Sequence, residues 1–403
     1  MWLNFVINSN QIKVKPMKVI NGNRVPIMMW TDKIDKGALE QVIDLASLPF
    51  AYHHIAIMPD VHQGKGMPIG GVLATKGVLI PNAVGTDIGC GMCAIKTSVK
   101  VDDISKETLM LIINRIREVI PVGFAHHEKP QDISFLPSNY DIQQLPCIKN
   151  LMEGAIRQIG TLGGGNHFIE FQSSNDGSIW IMLHSGSRNI GNQVCNFYNK
   201  IAHHFNELWY SDYLPGLEFL PIECKEGKNY FNEMRYCIDF GLANRKLMME
   251  RICDVLAVYF PQVTFDPLIN IAHNYAAWER HFDNNVIVHR KGATRAMKGE
   301  IGIIPGSQGT KSYIVEGLGN ADSFMSCSHG AGRVLGRSEA RRQLDLQKEI
   351  DFMNAQGILH SIVDEKQLDE APSAYKDIAQ VLANEQELVR PIVELSPLAV
   401  IKG

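Results

Sequence analysis

The chain lacks the features that would tie it to a membrane, a disulfide scaffold or a basic coat. No stretch approaches the ~18 uninterrupted apolar residues of a membrane-spanning helix, so none is expected. Residues 1–16 have no basic start, apolar core and small-residue cleavage site; they read as an N-terminal extension, not a signal peptide. Basic residues are not in excess: 39 Lys and Arg face 43 Asp and Glu, a net charge of −4. That excludes a general nucleic-acid coat and leaves room for a local basic groove. The eight cysteines show no small-scaffold spacing, and Cys90 and Cys93, three apart, have no second pair to answer them. Neither a disulfide framework nor a structural zinc is expected, and the thiols read as reduced in a cytoplasmic protein. Internal repeats and low-complexity segments are missing too.

What is present is an ordinary globular composition, 45% apolar and 20% charged, in 403 residues, enough for a large core. Leu109, Ile112, Ile113 and Ile116 recur at helical spacing behind a Ser105 cap and predict a helix over 105–120. The apolar run 179–183 predicts a strand over 177–184 buried on both faces. Residues 234–258 read as a long apolar helix with Gly241 as its weak point. Two proline-bearing stretches, 121–150 and 210–230, read as irregular excursions. Strands and helices mix without a βαβ rhythm, which predicts an α+β fold. Candidate site residues lie on either side of both excursions, so a single catalytic domain over 1–403 is expected.

Six runs can carry chemistry. In Gly85-Thr86-Asp87-Ile88-Gly89-Cys90-Gly91 the glycines permit a sharp turn, and Asp87 and Cys90 are spaced to face one ion. A tight turn with a buried thiol is the plainer alternative. Upstream, Met58 to Gly66 is another polar, glycine-punctuated turn. Gly163-Gly164-Gly165-Asn166-His167-Phe168-Ile169-Glu170 is a glycine loop feeding a strand. Such a loop either cradles phosphate or simply turns; if 166–170 is extended, Asn166 and Glu170 share one face and His167 takes the other. His184-Ser185-Gly186-Ser187-Arg188 puts a histidine and an arginine at a strand end. His273-Asn274-Tyr275 has no motif of its own. Cys327-Ser328-His329-Gly330-Ala331-Gly332-Arg333 leaves His329 accessible among small residues, with Arg333 on the same side if the run is helical. That pair suits phosphoryl or nucleotidyl transfer; a small-residue packing helix is the alternative. The sixth run, Ile304 to Ser312, has the glycines, hydroxyls and lysine of a phosphate loop without being a Walker A motif. Carboxylate, thiolate and imidazoles together suit Mn, Fe, Co or Zn better than Mg or Ca.

Taken together and in order, these runs resemble the RtcB family of RNA-splicing ligases, from about Val25 to Gly403. The resemblance implies two manganese ions per subunit. Asp87, Cys90 and His167 would hold one, and Cys90, His184 and His273 the other, with the Cys90 thiolate bridging. It implies GTP as guanylyl donor and His329 as the residue that becomes guanylylated. The nucleotide would be held by Asn166, His167, Phe168, Ile169 and Glu170, by His273 and Asn274, and by Pro305, Gly306, Ser307, Gln308 and Ser312. Gly330, Ala331, Gly332, Tyr375 and Lys402 complete that set. Arg188, Lys291 and Arg333 would hold RNA phosphates. The implied reaction joins a 3′-phosphate or 2′,3′-cyclic phosphate to a 5′-hydroxyl, in tRNA splicing or RNA repair. Ala272, Asn189 and Met67-Pro68 depart from the family pattern near the site. Two other readings stand beside this one: a 3′-end guanylylating enzyme that seals poorly, and a metal-stabilised RNA-binding protein without catalysis.

Overall fold

The computed structural model describes residues 17–403, so the extension read over 1–16 lies outside the described residues. Two large sheets dominate. The first runs in the order Lys18–Ile20, Ile27–Met29, Ala51–His62, Ile69–Thr75, Asn284–Lys291 and Asn274–His281. The second has seven strands: Ile269–Ala272, Gly91–Lys100, Ser178–Ser185, Phe168–Ser174, Val389–Lys402, Ser312–Gly317 and Ile301–Ile304. Within them only Ile27–Met29 and Ala51–His62 pair in parallel. Mixed helices and mainly antiparallel strands make this the α+β fold the sequence predicts.

The predicted helices and strand form, whereas the turn expected over Met58 to Gly66 begins only after His62, because Ala51–His62 is one strand. The helix Lys106–Val119 is capped by the Ser105 side chain, which accepts from the Thr108 amide. Its apolar stripe packs with Met248, Ile252 and Leu256 of the long helix Lys225–Tyr259 against Ile169, Phe171, Ile181 and Leu183 of the second sheet. The opposite face of that sheet buries Met92, Trp180, Met182 and Ile314. Every residue of Ser178–Ser185 is therefore buried, as a strand covered on both sides requires.

The long helix starts earlier than its apolar pattern does. It begins at Lys225 behind a Cys224 cap, so the second excursion ends there, not at 230. Gly227 presses on the Pro221 carbonyl and Tyr230 is fully buried, so tertiary packing supports a first turn that propensity leaves weak. The helix also runs unbroken through Gly241. A Cβ there would lie 2.4 Å from the Gly89 carbonyl oxygen, so the missing side chain lets the helix approach the Asp87–Gly91 loop. One turn on, the fully buried Arg245 donates to the Gly89 and Ser185 carbonyls at 3.0 and 2.8 Å. The first excursion is irregular as expected, with short 3-10 turns at Ile133–Phe135, Ile142–Gln144 and Ile148–Leu151.

One residue joins an edge of each sheet. Ile269–Ala272 is an edge of the second sheet, Asn274–His281 an edge of the first, and His273 is the link between them. Its amide donates to the Cys90 carbonyl at 2.9 Å, which ties that junction to the Asp87–Gly91 loop.

Candidate active site

The loop after the short helix Pro81–Val84 turns on glycines. Gly85 and Gly89 have φ of 95° and 76°, in the region closed to most L-residues, and Gly91 lies against the Ile271 carbonyl. This brings Asp87 and Cys90 beneath two strands. His167 stands just before Phe168–Ser174, and His184 lies next to the end of Ser178–Ser185. The Cys90 Sγ is 3.2 Å from His184 Nε2 and 3.6 Å from His167 Nε2. His167 Nε2 is 3.4 Å from the Asp87 carboxylate, and His184 Nε2 is 3.4 Å from His273 Nε2.

The outer ring nitrogens determine what these inner ones can do. His184 Nδ1 donates to the Asn166 carbonyl at 3.2 Å, which leaves its Nε2 as the lone-pair atom; His167 Nδ1 is flanked by the Leu162 carbonyl at 3.0 Å and the Arg188 guanidinium at 3.3 Å. Burial, then neighbouring imidazoles, hold His184 well below its ordinary range; burial, then His329 and His184, do the same to His273. Burial, then Asp87, pushes the Cys90 thiol up. At Asp87 burial works upward, but the hydrogen bond and charge of His167 outweigh it and draw the carboxyl down to about 2. Imidazole nitrogens, a carboxylate and a thiol thus converge on one another, and Cys90, His167 and His184 lie close enough to share one ion. The donor set fits a soft or borderline divalent metal, whose charge would also favour the thiolate.

Beside this cluster lies a cavity of about 610 Å³. Asn166, Phe168 and Glu170 form one wall, so the predicted alternation along 166–170 holds although the strand itself starts at Phe168. Pro305, Gly306, Ser307 and Gln308 form a second wall, on the hairpin between Ile301–Ile304 and Ser312–Gly317. Gly330, Ala331 and Gly332 form a third, and Tyr375 and Lys402 close the end. Lys402 lies on Val389–Lys402 opposite Phe168, with Nζ 5.8 Å from that ring's centre and 3.7 Å from Glu370. Burial pushes Glu170 up to about 8 and lowers Lys402. Glu370 also tends upward on burial, but Lys402, the Tyr375 hydrogen bond and two arginines bring it below its usual range.

His329 enters the cavity from the end of Ser326–Ser328. Its Nδ1 is 2.6 Å from Asp60 Oδ2, and the same oxygen accepts its backbone amide at 3.1 Å. Asp60 is fully buried. A buried carboxylate that holds Nδ1–H leaves Nε2 unprotonated, the form a nucleophilic imidazole needs. The His329 and His273 rings lie 4.8 Å apart, so the carboxylate-held histidine and the thiol–imidazole cluster share one site. Asp60→Asn is expected to slow covalent chemistry at His329 by on the order of 100-fold at preserved fold, because a neutral amide holds neither the tautomer nor the imidazolium as well. Single-turnover rates with thermal melting of the same variant check this.

The run 328–333 is not helical. Gly332 adopts φ 75° with its Cα against the Asp60 carbonyl, where a Cβ would come within 2.1 Å, and Arg333 bridges to Tyr375 in extended pairing. Arg333 still lines the cavity, held by Glu370 at 3.2 Å and lying 5.0 Å above the Tyr375 ring. Six of the residues predicted to hold nucleotide or RNA lie off the cavity wall, His167 because it belongs to the thiol–imidazole cluster. Ile169 packs into the core beneath the second sheet. Asn274 donates to the Asp87 carbonyl and accepts from Gly292, bracing the ligand loop. Ser312 accepts from the Gly306 amide and shapes its loop. Lys291 spends its ammonium on the carbonyls of Lys65, Met67 and Asn82. Arg188 donates to Thr161 and Leu162 behind His167. Asp60, His62, Arg337 and Glu370 reach or support the cavity without having been singled out from sequence; Asp60 and His62 lay in a flagged run, Arg337 and Glu370 in none.

The fold and site together set a thiol–imidazole cluster able to hold a metal ion beside a carboxylate-held histidine, the arrangement of an enzyme active site. The family model for "tRNA-splicing ligase RtcB" matches residues 41–144 and 141–403. The RNA-splicing ligase RtcB of Escherichia coli K12 is 38% identical over 416 residues, covering 96% of this chain and 99% of that protein. The tRNA-splicing ligase RtcB of Pyrobaculum aerophilum is 30% identical over 461 residues, covering 94% and 95%. The chain belongs to the tRNA-splicing ligase RtcB family. No helix among the described residues is long and apolar enough to cross a membrane.

Proposed function

We propose that this RNA ligase joins 3′-phosphate or 2′,3′-cyclic phosphate RNA ends to 5′-hydroxyl ends, with GTP as guanylyl donor, in cytoplasmic tRNA splicing or RNA repair. The observation that carries the reading is His329, held at Nδ1 by Asp60 inside the cavity and 4.8 Å from the ring of His273.

His329 Nε2 attacks the α-phosphorus of GTP; the Nε2–P bond forms, the α–β P–O bond breaks and pyrophosphate leaves. Asp60 stabilises the charge that develops on the ring. An RNA 3′-phosphate oxygen then takes the GMP as the Nε2–P bond breaks and His329 returns to its neutral form. The 5′-hydroxyl displaces GMP to form the phosphodiester. Manganese ions bound by Asp87, Cys90 and His167, and by Cys90, His184 and His273, would supply charge neutralisation on phosphoryl oxygens. Asn166, Phe168, Glu170, the 305–308 loop, Tyr375 and Lys402 surround the nucleotide. Arg333 would hold an RNA phosphate from the cavity wall, and Arg188 and Lys291, the other candidates for RNA phosphates, also brace the ligand histidine and loops.

The test is α-labelled GTP across a panel of divalent metals, with one RNA bearing a 3′-phosphate and another a 5′-hydroxyl. Acid-labile, alkali-stable label on the protein and a joined RNA are expected, best with manganese. Capped 3′ ends that never join would support an end-modifying enzyme instead. RNA binding with no protein label under any metal would support a non-catalytic binder.

A further inference from the structure

Of the three transfers just described, only the last has a nucleophile that carries a proton at the attacking atom. His329 keeps its proton on Nδ1, at Asp60, and a 3′-phosphate attacks through an anionic oxygen. The 5′-hydroxyl must lose its proton as it attacks, and a positioned base speeds such a step.

The carboxylates and imidazoles of the cavity are nearly all committed. Asp60 holds His329. Asp35 caps the helix Lys36–Leu45 and accepts from the Gln63 amide. Glu170 accepts from Gln172, and Glu370 is enclosed by Tyr375, Arg333 and Lys402. Glu339 accepts from Gln343. The Nε2 atoms of His184 and His273 face each other within the ligand cluster. His62 is different. It lines the same cavity as His329 and belongs to no ligand group. Its Nδ1 lies 3.0 Å from the Asp60 carbonyl oxygen, so Nδ1–H donates there and the lone pair sits on Nε2. Among the described residues, no hydrogen-bond partner meets that Nε2.

We propose that His62 is a catalytic residue of the joining step, the general base that takes the proton of the attacking 5′-hydroxyl. The O5′–H proton passes to Nε2 as the O5′–P bond forms and the P–O bond to GMP breaks. GMP leaves as an anion, and the imidazolium returns its proton to water.

The surroundings keep His62 neutral before the step. Burial draws it down to about 4; His329 and Lys376 act in the same direction, and the Asp60 carbonyl and carboxylate oppose them. Lys376 is anchored on the Pro59 and Val61 carbonyls, either side of Asp60, so the strand end that carries Asp60 and His62 is fixed beside His329. This inference rests on the ligase reading, and the experiment separates the two.

The manganese-loaded enzyme is given RNA already bearing GMP on its 3′-phosphate, together with a 5′-hydroxyl RNA, so that only joining is observed. In His62→Ala single-turnover joining should fall about 100-fold. Added imidazole should restore part of it, and the rate should keep rising with pH where wild type has levelled off. The His329–GMP adduct should still form from labelled GTP, showing an intact fold and nucleotide site. Joining at the wild-type rate would overturn the proposal. So would joint loss of adduct and joining in both His62→Ala and His62→Gln without imidazole rescue, which would mark His62 as structural. If wild type forms no adduct and joins nothing, the ligase reading itself has failed.

Discussion

His329→Ala is expected to abolish protein labelling by α-labelled GTP, with label falling to background, while metal content stays at the wild-type level. The two readouts divide because His329 is not part of the Cys90, His167 and His184 group. The residue is costly to replace since no other imidazole in the cavity offers a free nucleophilic nitrogen on a carboxylate-held ring. Those of His184 and His273 face each other in the cluster, and His62 has only a carbonyl at Nδ1. Loss of a covalent nucleophile removes the pathway rather than slowing it. Label that persists in the variant would show another residue carries the nucleotide. The truncation should cost little stability, because the His329 side chain is partly exposed to the cavity and its backbone amide still bonds Asp60.

Cys90→Ala is expected to have the second largest effect, a loss of metal affinity of roughly 100-fold or more together with adduct formation. Cys90 is central by geometry: its sulfur lies within 3.6 Å of both His167 and His184, which themselves belong to different halves of the donor set. Deleting the sulfur separates Asp87 and His167 from His184 and His273 and leaves buried nitrogens facing a cavity. Burial and the Asp87 charge keep the free thiol protonated, so metal loading must expel a proton from Cys90. Proton release on metal addition, measured in weak buffer, should therefore drop in Cys90→Ala. Equilibrium dialysis with manganese reads the affinity directly, and unchanged binding would remove Cys90 from the site. Asp87 adds a pH dependence of known sign: its carboxyl is drawn down to about 2, so the carboxylate is present across neutral pH and is lost only in strong acid.

Local sequence was sufficient wherever one run sets its own geometry. The Ser105 cap and the stripe from Leu109 to Ile116 determined a helix, because cap and period lie within one window. The glycines at 89 and 91 determined a tight turn around Cys90, because only residues without Cβ accept that backbone and that approach. The ordered set of motifs determined the family. What local pattern could not determine were encounters between distant segments. Asp60 meets His329 across 269 residues, and nothing in either run names the other. Arg333 reaches the cavity by pairing with Tyr375, not by helical spacing, since Gly332 packs on the Asp60 carbonyl in a conformation no helix contains. Lys291 and Arg188 look free in sequence and are spent on carbonyls in the fold, because a buried cation takes acceptors wherever packing offers them. The five ligand types were legible as chemistry. That His273 joins them was decided by the fold: it links the edges of two sheets and brings its imidazole within 3.4 Å of His184. Residue type dictates which bonds a side chain can make; only the closed tertiary structure decides which partner comes within a few ångströms to make them.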